Sequence, residues 1–169
     1  MSTGAADPSA LLGRLRGRIV LAGVGCRGRG DDALGPVLAR RLAGVSRIHA
    51  IDCGDRLEDW VGDIARESPD TVLVVDAVDF GGRPGAIAVV EADSLARSVL
   101  DTHRATLATA MAYLRWRTGA DVLLVGVQPS PVGHDGAIGP EVAATIDSLA
   151  CLLSDLAFEA PAPVSEERP

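Results

Sequence analysis

Apolar residues of this chain cluster in five short runs, and the segments between most of the runs carry apolar residues at helical spacing. Each run is five to seven residues long and rich in Val, Ile, Leu and Ala, which predicts buried β-strands. The runs lie at residues 18–22, 47–53, 71–77, 86–91 and 121–127. Strands that alternate with helices are typical of a sheet whose parallel strands are joined by crossover helices.

The helical segments lie at residues 32–43, 55–67, 92–118 and 140–158. We expect the third to break near residues 101 and 102, so that His103 begins a new helix. The whole pattern predicts the α/β fold class, as a three-layer α/β/α domain around a mostly parallel five-stranded sheet. The run at 86–91 is the weakest core strand, and it could lie antiparallel at an edge.

The length of 169 residues fits one domain. We expect this single α/β domain to span residues 18–158. Residues 1–17 are rich in small residues and arginine and are predicted to form a flexible leader. Residues 159–169 contain three prolines and several charges, which predicts a disordered tail.

Composition removes several classes of function. A net charge of −7 with 3% aromatic residues argues against a nucleic-acid partner, because such partners are bound by cationic and stacking side chains. No apolar run approaches the ~20 residues that a membrane-spanning helix needs, so we expect no membrane insertion. The N-terminus lacks the pattern of a signal peptide, which favours a cytoplasmic location.

The three cysteines show no Cys-x-x-Cys spacing, so neither a disulfide framework nor a structural zinc site is expected. Cys151 falls in an apolar helical pattern and is predicted to belong to the core.

A glycine-rich turn follows the first strand and contains Gly-x-Gly-x-x-Gly at residues 23–28. This motif matches the dinucleotide-binding fingerprint, and Asp52 at the end of the second strand could hold a ribose. Asp31 and Asp32 occupy the start of the following helix, where they would repel a pyrophosphate. A dinucleotide- or phosphate-binding protein therefore stays open as an alternative function.

Two carboxylates and one imidazole are expected to meet at the carboxyl ends of the strands. Asp32 follows the first strand, Asp76 ends the third, and His103 opens a later helix. Such a set of two oxygen ligands and one nitrogen ligand suits Ni²⁺, Fe²⁺ or Zn²⁺, although each residue alone could be a helix cap or an acceptor for backbone amides. Asp31 should point away from its neighbour, so we choose Asp32 as the residue that faces the site.

Five segments together resemble those of the hydrogenase maturation endopeptidases, which process the large subunit of nickel-iron hydrogenases. They read GVGCRGRGDDALGP, IDCGD, VVDAVDFGGRPGAI, DTHRATL and LLVGVQP, in the order and with similar spacing to that family. The similarity covers residues 18–157, which is nearly the whole predicted domain.

The resemblance implies a protease that removes a C-terminal extension from the large-subunit precursor once nickel has been inserted. It implies that Asp32, Asp76 and His103 are the catalytic and metal-contacting residues. The nickel would arrive with the substrate as a recognition signal, and no organic cofactor is expected. We expect a monomer whose partner is the precursor. A nickel-binding chaperone that does not cut is a further alternative.

The chain departs from the family pattern in two loops. Cys26 stands where the family usually has asparagine, and the same loop carries two arginines where relatives tend to be apolar. The segment after the second strand also differs from the usual sequence. We predict that these loops face the substrate, with Cys26, Arg27, Arg29, Asp52, Gly54 and Asp55 as the candidate residues.

Overall fold

The structure, a computed structural model, describes residues 11–97, 102–131 and 136–159. The strands are β1 (Ile19–Val24), β2 (Ile48–Gly54), β3 (Thr71–Ala77), β4 (Ile87–Glu91) and β5 (Asp121–Val127). The helices are α1 (Leu34–Arg41), α2 (Val61–Arg66), α3 (Ala92–Arg97), α4 (Thr102–Thr118) and α5 (Pro140–Glu159). Short 3₁₀ turns at Gly30–Ala33 and Leu57–Trp60 precede α1 and α2. The predicted strands and helices are therefore confirmed.

The five strands form one sheet in the order β2-β1-β3-β5-β4. Three of the four strand pairs are parallel, and β4 lies antiparallel to β5 at the edge. The fold class is thus confirmed, including the antiparallel edge strand. The chain leaves β1 on one side for β2 and returns on its other side as β3. The switch point of the sheet therefore lies between the carboxyl ends of β1 and β3, where ligands of open α/β sheets collect.

Each face of the sheet carries its own apolar core. On one face α1 and α5 pack through residues such as Leu38 and Ile146, and on the other face α2 and α4 pack through Ile64 and Met111. Residues along β1 and β3 alternate between the two cores, which explains why these strands are apolar throughout rather than alternating.

Residues 11–17, the end of the predicted leader, lie against the sheet. Leu11 is buried in the core that contains α1 and α5. The guanidinium of Arg14 donates to both carboxylate oxygens of Asp121, at 2.8 and 2.5 Å, and to Glu91 at 2.7 Å. Residues 1–10 and most of the predicted tail lie outside the described residues. In the described part of the chain, no helix is long and apolar enough to cross a membrane.

The prediction that Cys151 belongs to the core is wrong. Its side chain is exposed on α5, and its thiol lies 3.5 Å from a carboxylate oxygen of Asp155. The hydrogen bond and the negative charge of Asp155 raise the pKa of the Cys151 thiol.

Two glycines set how closely α1 approaches the sheet. A Cβ atom at Gly35 would lie 2.3 Å from the carbonyl oxygen of Val24 and 2.6 Å from that of Val75. A Cβ atom at Gly23 would lie 2.2 Å from the carbonyl oxygen of Gly35. Since these neighbours are backbone atoms, they cannot rotate away. The first turn of α1 therefore touches β1 and β3 directly.

We expect Gly35→Ala to lower the free energy of unfolding by about 3 kcal/mol, because the added methyl group overlaps the backbone of two strands. The matched control is Gly62→Ala in α2, where an added Cβ meets nothing within 4 Å. That substitution should stabilise the protein by roughly 0.5–1 kcal/mol through helix propensity. Denaturant unfolding of both variants measures the difference, and equal stability would contradict the close approach.

Candidate functional site

A cleft of about 750 Å³ opens at the switch point of the sheet. Asp32, from the turn after β1, and Asp76, from the end of β3, both line it. The structure therefore brings together two of the three residues predicted to form the site. Their convergence follows from the pairing of β1 directly with β3.

The glycine-rich turn holds Asp32 by its backbone. Gly25 has a φ of 131°, and a Cβ atom there would lie 1.8 Å from the carbonyl oxygen of Asp32. One carboxylate oxygen of Asp32 accepts a hydrogen bond from the backbone N–H of Cys26 at 3.0 Å. The turn thus packs against Asp32, and the hydrogen bond from Cys26 orients the Asp32 carboxylate.

Asp31, which was predicted to point away from the site, also lines the cleft. Its side chain is buried, and its two carboxylate oxygens accept hydrogen bonds from the N–H groups of Ser130 and Gly139, each at 2.7 Å. These residues flank the loop between β5 and α5. Asp31 therefore ties this loop to the turn after β1.

Asp76 is 3% exposed and lies opposite Gly126 in the register of β3 and β5. His103 falls in the first turn of α4, as predicted, but its side chain lies outside the described part of the structure. The next residue, Arg104, lines the cleft. Among the described residues, no group of three His, Cys, Asp or Glu side chains could hold a metal ion.

Gln128, directly after β5, binds the loop that follows β3, a contact that sequence reasoning missed. It is 6% exposed, and its side-chain oxygen accepts hydrogen bonds from the N–H groups of Phe80 and Gly82, at 2.9 and 3.0 Å. Its amide nitrogen donates to Asp79 at 3.0 Å. These contacts hold the loop after β3. A single glutamine at the end of a strand has no spacing pattern that could have revealed this role.

Arg104 was also missed by sequence reasoning, and it joins α4 to the same loop. Its guanidinium donates to the backbone carbonyl of Asp79. The hydrogen bond from Gln128 is the largest of the influences that lower the pKa of the Asp79 carboxyl, followed by the N–H of Gly81 and the charge of Arg104. The loop after β3 is therefore fixed from two sides, by β5 and by α4.

The two loops predicted to face the substrate are bonded to each other. Arg27 forms an ion pair with Asp52, whose other carboxylate oxygen accepts from the N–H of Gly54 at 3.1 Å. The carbonyl of Gly54 in turn accepts from the N–H of Gly25 at 2.7 Å. Arg27 and Asp52 thus have a structural role. The role of these loops toward a substrate stays a prediction.

The other candidates of these loops lie at different depths. Arg29 is exposed and lines the cleft, Asp55 is exposed beyond β2, and Cys26 is half-buried. Cys53 is buried in the core, where the loss of solvent and the nearby charge of Asp52 raise the pKa of its thiol to about 12. The Cys53 thiol therefore stays protonated at neutral pH.

The dinucleotide alternative loses support at this site. In a nucleotide-binding turn, free N–H groups at a helix N-terminus receive the phosphates. Here the N–H of Cys26 is bound by Asp32, the turn continues as a 3₁₀ segment, and Asp52 is paired with Arg27. The fold and the cleft thus define an α/β protein that places carboxylates, rather than a free helix N-terminus, at the switch point of its sheet.

Comparison with known proteins identifies the family. Residues 34–155 match the family model described as hydrogenase maturation protease, HycI. The chain is 34% identical over 117 residues to the hydrogenase 3 maturation protease of Escherichia coli K12, covering 68% of this chain and 74% of the relative. This protein therefore belongs to the hydrogenase maturation protease family.

Solved structures agree with this assignment. The fold is similar to the crystal structure of the nickel-iron hydrogenase maturation protease HycI from Thermococcus kodakarensis KOD1, with a TM-score of 0.80 and 31% identity. That match covers 88% of this chain and 98% of the other. The solution structure of the endopeptidase HycI from Escherichia coli gives a TM-score of 0.68 and 27% identity, covering 88% and 99% of the two chains. The protein is thus a hydrolase that acts as an endopeptidase.

We expect Asp31→Asn to lower the free energy of unfolding by about 1–3 kcal/mol, because the new amide group turns one donor toward an N–H group that needs an acceptor. The control is Asp55→Asn, at an exposed position. Denaturant unfolding measures both. An equal stability of the two variants would show that Asp31 does not hold the loop after β5.

Proposed function

We propose that this protease removes the C-terminal extension of a nickel-iron hydrogenase large-subunit precursor after nickel insertion, and that the nickel held by the precursor is its recognition signal. The observation that carries the proposal is the presence of Asp32 and Asp76 in one cleft at the switch point of the sheet. The proposal places the protein in the cytoplasm as a monomer, with no organic cofactor.

The charge of the cleft supports a cationic group in the substrate. Its lining includes four carboxylates, from Asp31, Asp32, Asp76 and Asp79, and two guanidinium groups, from Arg29 and Arg104. The acids therefore exceed the bases by two. A divalent cation brought in by the substrate would offset this excess, and carboxylate oxygens with one imidazole nitrogen are suitable ligands for nickel.

The proposed chemistry is hydrolysis by water without a covalent intermediate. Asp32 and Asp76, together with His103, would hold the precursor so that one peptide bond lies against the cleft. A water molecule would attack the carbonyl carbon of that bond, and either a carboxylate would accept a proton from the water or the substrate's metal would make the water more acidic. The C–N bond would break as the tetrahedral intermediate collapses. The amine of the released extension then takes up a proton.

Processing should depend on the metal in the substrate. We expect the protein to cleave nickel-loaded precursor and to leave nickel-free precursor intact, because the empty site would place two carboxylates together without a cation between them. Mass spectrometry of the precursor before and after incubation measures the loss of the C-terminal extension.

Equal cleavage of both precursor forms would contradict the role of nickel. Binding of nickel-loaded precursor without any cleavage would instead favour a nickel-binding chaperone.

Asp76→Asn and His103→Ala should each reduce the rate of processing by at least about 100-fold, because each removes a proposed metal contact. His49→Ala is the matched control. Its imidazole is half-exposed on β2, where it lies 3.7 Å from a carboxylate oxygen of Glu67, away from the cleft. Single-turnover processing assays measure the rates, and unchanged thermal unfolding confirms the fold. Wild-type rates in His103→Ala would exclude this residue from the site.

A further inference from the structure

Two aromatic side chains stand exposed on α4. The side chains of Tyr113 and Trp116 are 44% and 78% exposed, and they are the large hydrophobic residues that the described part of the chain leaves on its surface. Their ring centroids lie 5.8 Å apart at an interplanar angle of 45°. Tyr and Trp are enriched among the residues that contribute most to protein interfaces. A pair of them on one helix, in a protein with few aromatic residues, indicates a binding surface.

A groove runs beside this pair, between α4 and the 3₁₀ turn that leads into α2. It has a volume of about 500 Å³. Tyr113, Ala110 and Val61 give it an apolar lining, and Thr109 lies at its exposed rim. We call this feature the α4 groove.

The α4 groove and the cleft that holds Asp32 and Asp76 both lie along α4. A smaller hollow of about 280 Å³ shares lining residues with each of them. Glu58 and Thr106 line both this hollow and the α4 groove, and Leu107 lines both the hollow and the cleft. The three hollows therefore follow one another along α4, from the proposed cleavage site toward Tyr113.

We infer that the α4 groove binds an extended, apolar segment of the precursor that flanks the scissile bond. The identity of this partner rests on the proposed function. From Leu107 to Trp116 the axis of α4 rises by ~14 Å, at 1.5 Å per residue. An extended peptide covers that distance with about four residues. The apolar lining selects apolar side chains at these positions, and Tyr113 is the lining residue that lies farthest along α4 from the cleft.

The test uses two arginine substitutions in equivalent helical surroundings. Thr109→Arg places a charged side chain at the rim of the α4 groove. Ser148→Arg makes the same change on α5, on the opposite face of the sheet. Both hydroxyl groups donate to the carbonyl four residues earlier, Thr109 at 2.8 Å and Ser148 at 2.9 Å, so each substitution removes one such hydrogen bond from its helix. Thermal unfolding confirms that both variants fold.

We expect Thr109→Arg to raise the KM for nickel-loaded precursor by at least about tenfold while kcat stays near the wild-type value. Ser148→Arg should leave both constants unchanged. Binding is measured separately, by fluorescence anisotropy of labelled precursor, and Thr109→Arg should weaken it by the same factor. An unchanged KM, or a fall in kcat alone, would overturn the inference.

Two further results separate the inference from the proposed function. Wild-type protein that binds the precursor through the groove without cleaving it would refute the proposed function but keep the docking surface. A wild-type protein that is dimeric in solution, and becomes monomeric in Thr109→Arg alone, would show that a second copy of this chain covers the groove. That result would overturn the inference.

Discussion

The direct contact between the backbone of α1 and the backbone of β1 and β3 is the constraint on which the site depends. Only glycine at positions 23 and 35 leaves room for it. Because the helix begins so close to the sheet, the chain must turn within a few residues after β1. Gly25, packed on the carbonyl of Asp32, makes that turn possible. Backbone packing therefore explains Gly23, Gly25 and Gly35 without any need for a bound phosphate. Gly28 and Gly30 are explained by their positive φ angles of 81° and 60°.

This tight turn gives the neighbouring residues Asp31 and Asp32 different hydrogen-bond partners. Asp31 also lines the cleft, but it is buried, and two N–H groups compensate the burial of its charge. Asp32 receives one N–H from its own turn and lines the cleft. A second polar side chain, Gln128, holds the loop after β3 in the same way. The cleft is thus formed by three loops that are bound to one another through buried side chains rather than through apolar packing.

The sequence predicted the features that repeat along the chain and missed those that depend on one contact. Strands and helices were predicted correctly because their apolar spacing extends over many residues. Asp32 and Asp76 could be predicted to lie close together because strand ends are easy to locate, and both line the cleft. Gln128 and Arg104 act through single contacts that leave no pattern. The error at Cys151 was avoidable, since at 100° per residue it lies ~180° from the helix face that buries Val142 and Ile146.

The cleft would recognise the precursor through charge, and the α4 groove would recognise it through apolar contact. Carboxylates in a partly buried cleft gain little from a neutral peptide, because binding removes their water without supplying a counter-charge. An apolar groove attracts a matching segment whether or not a metal is present. In this arrangement the groove would add the same affinity for every precursor. The cleft would supply the difference in affinity between metal-loaded and metal-free precursor. Discrimination between the two precursor forms depends only on that difference in affinity. A groove that bound the apolar segment more tightly would therefore raise the affinity for both forms equally and add nothing to selectivity.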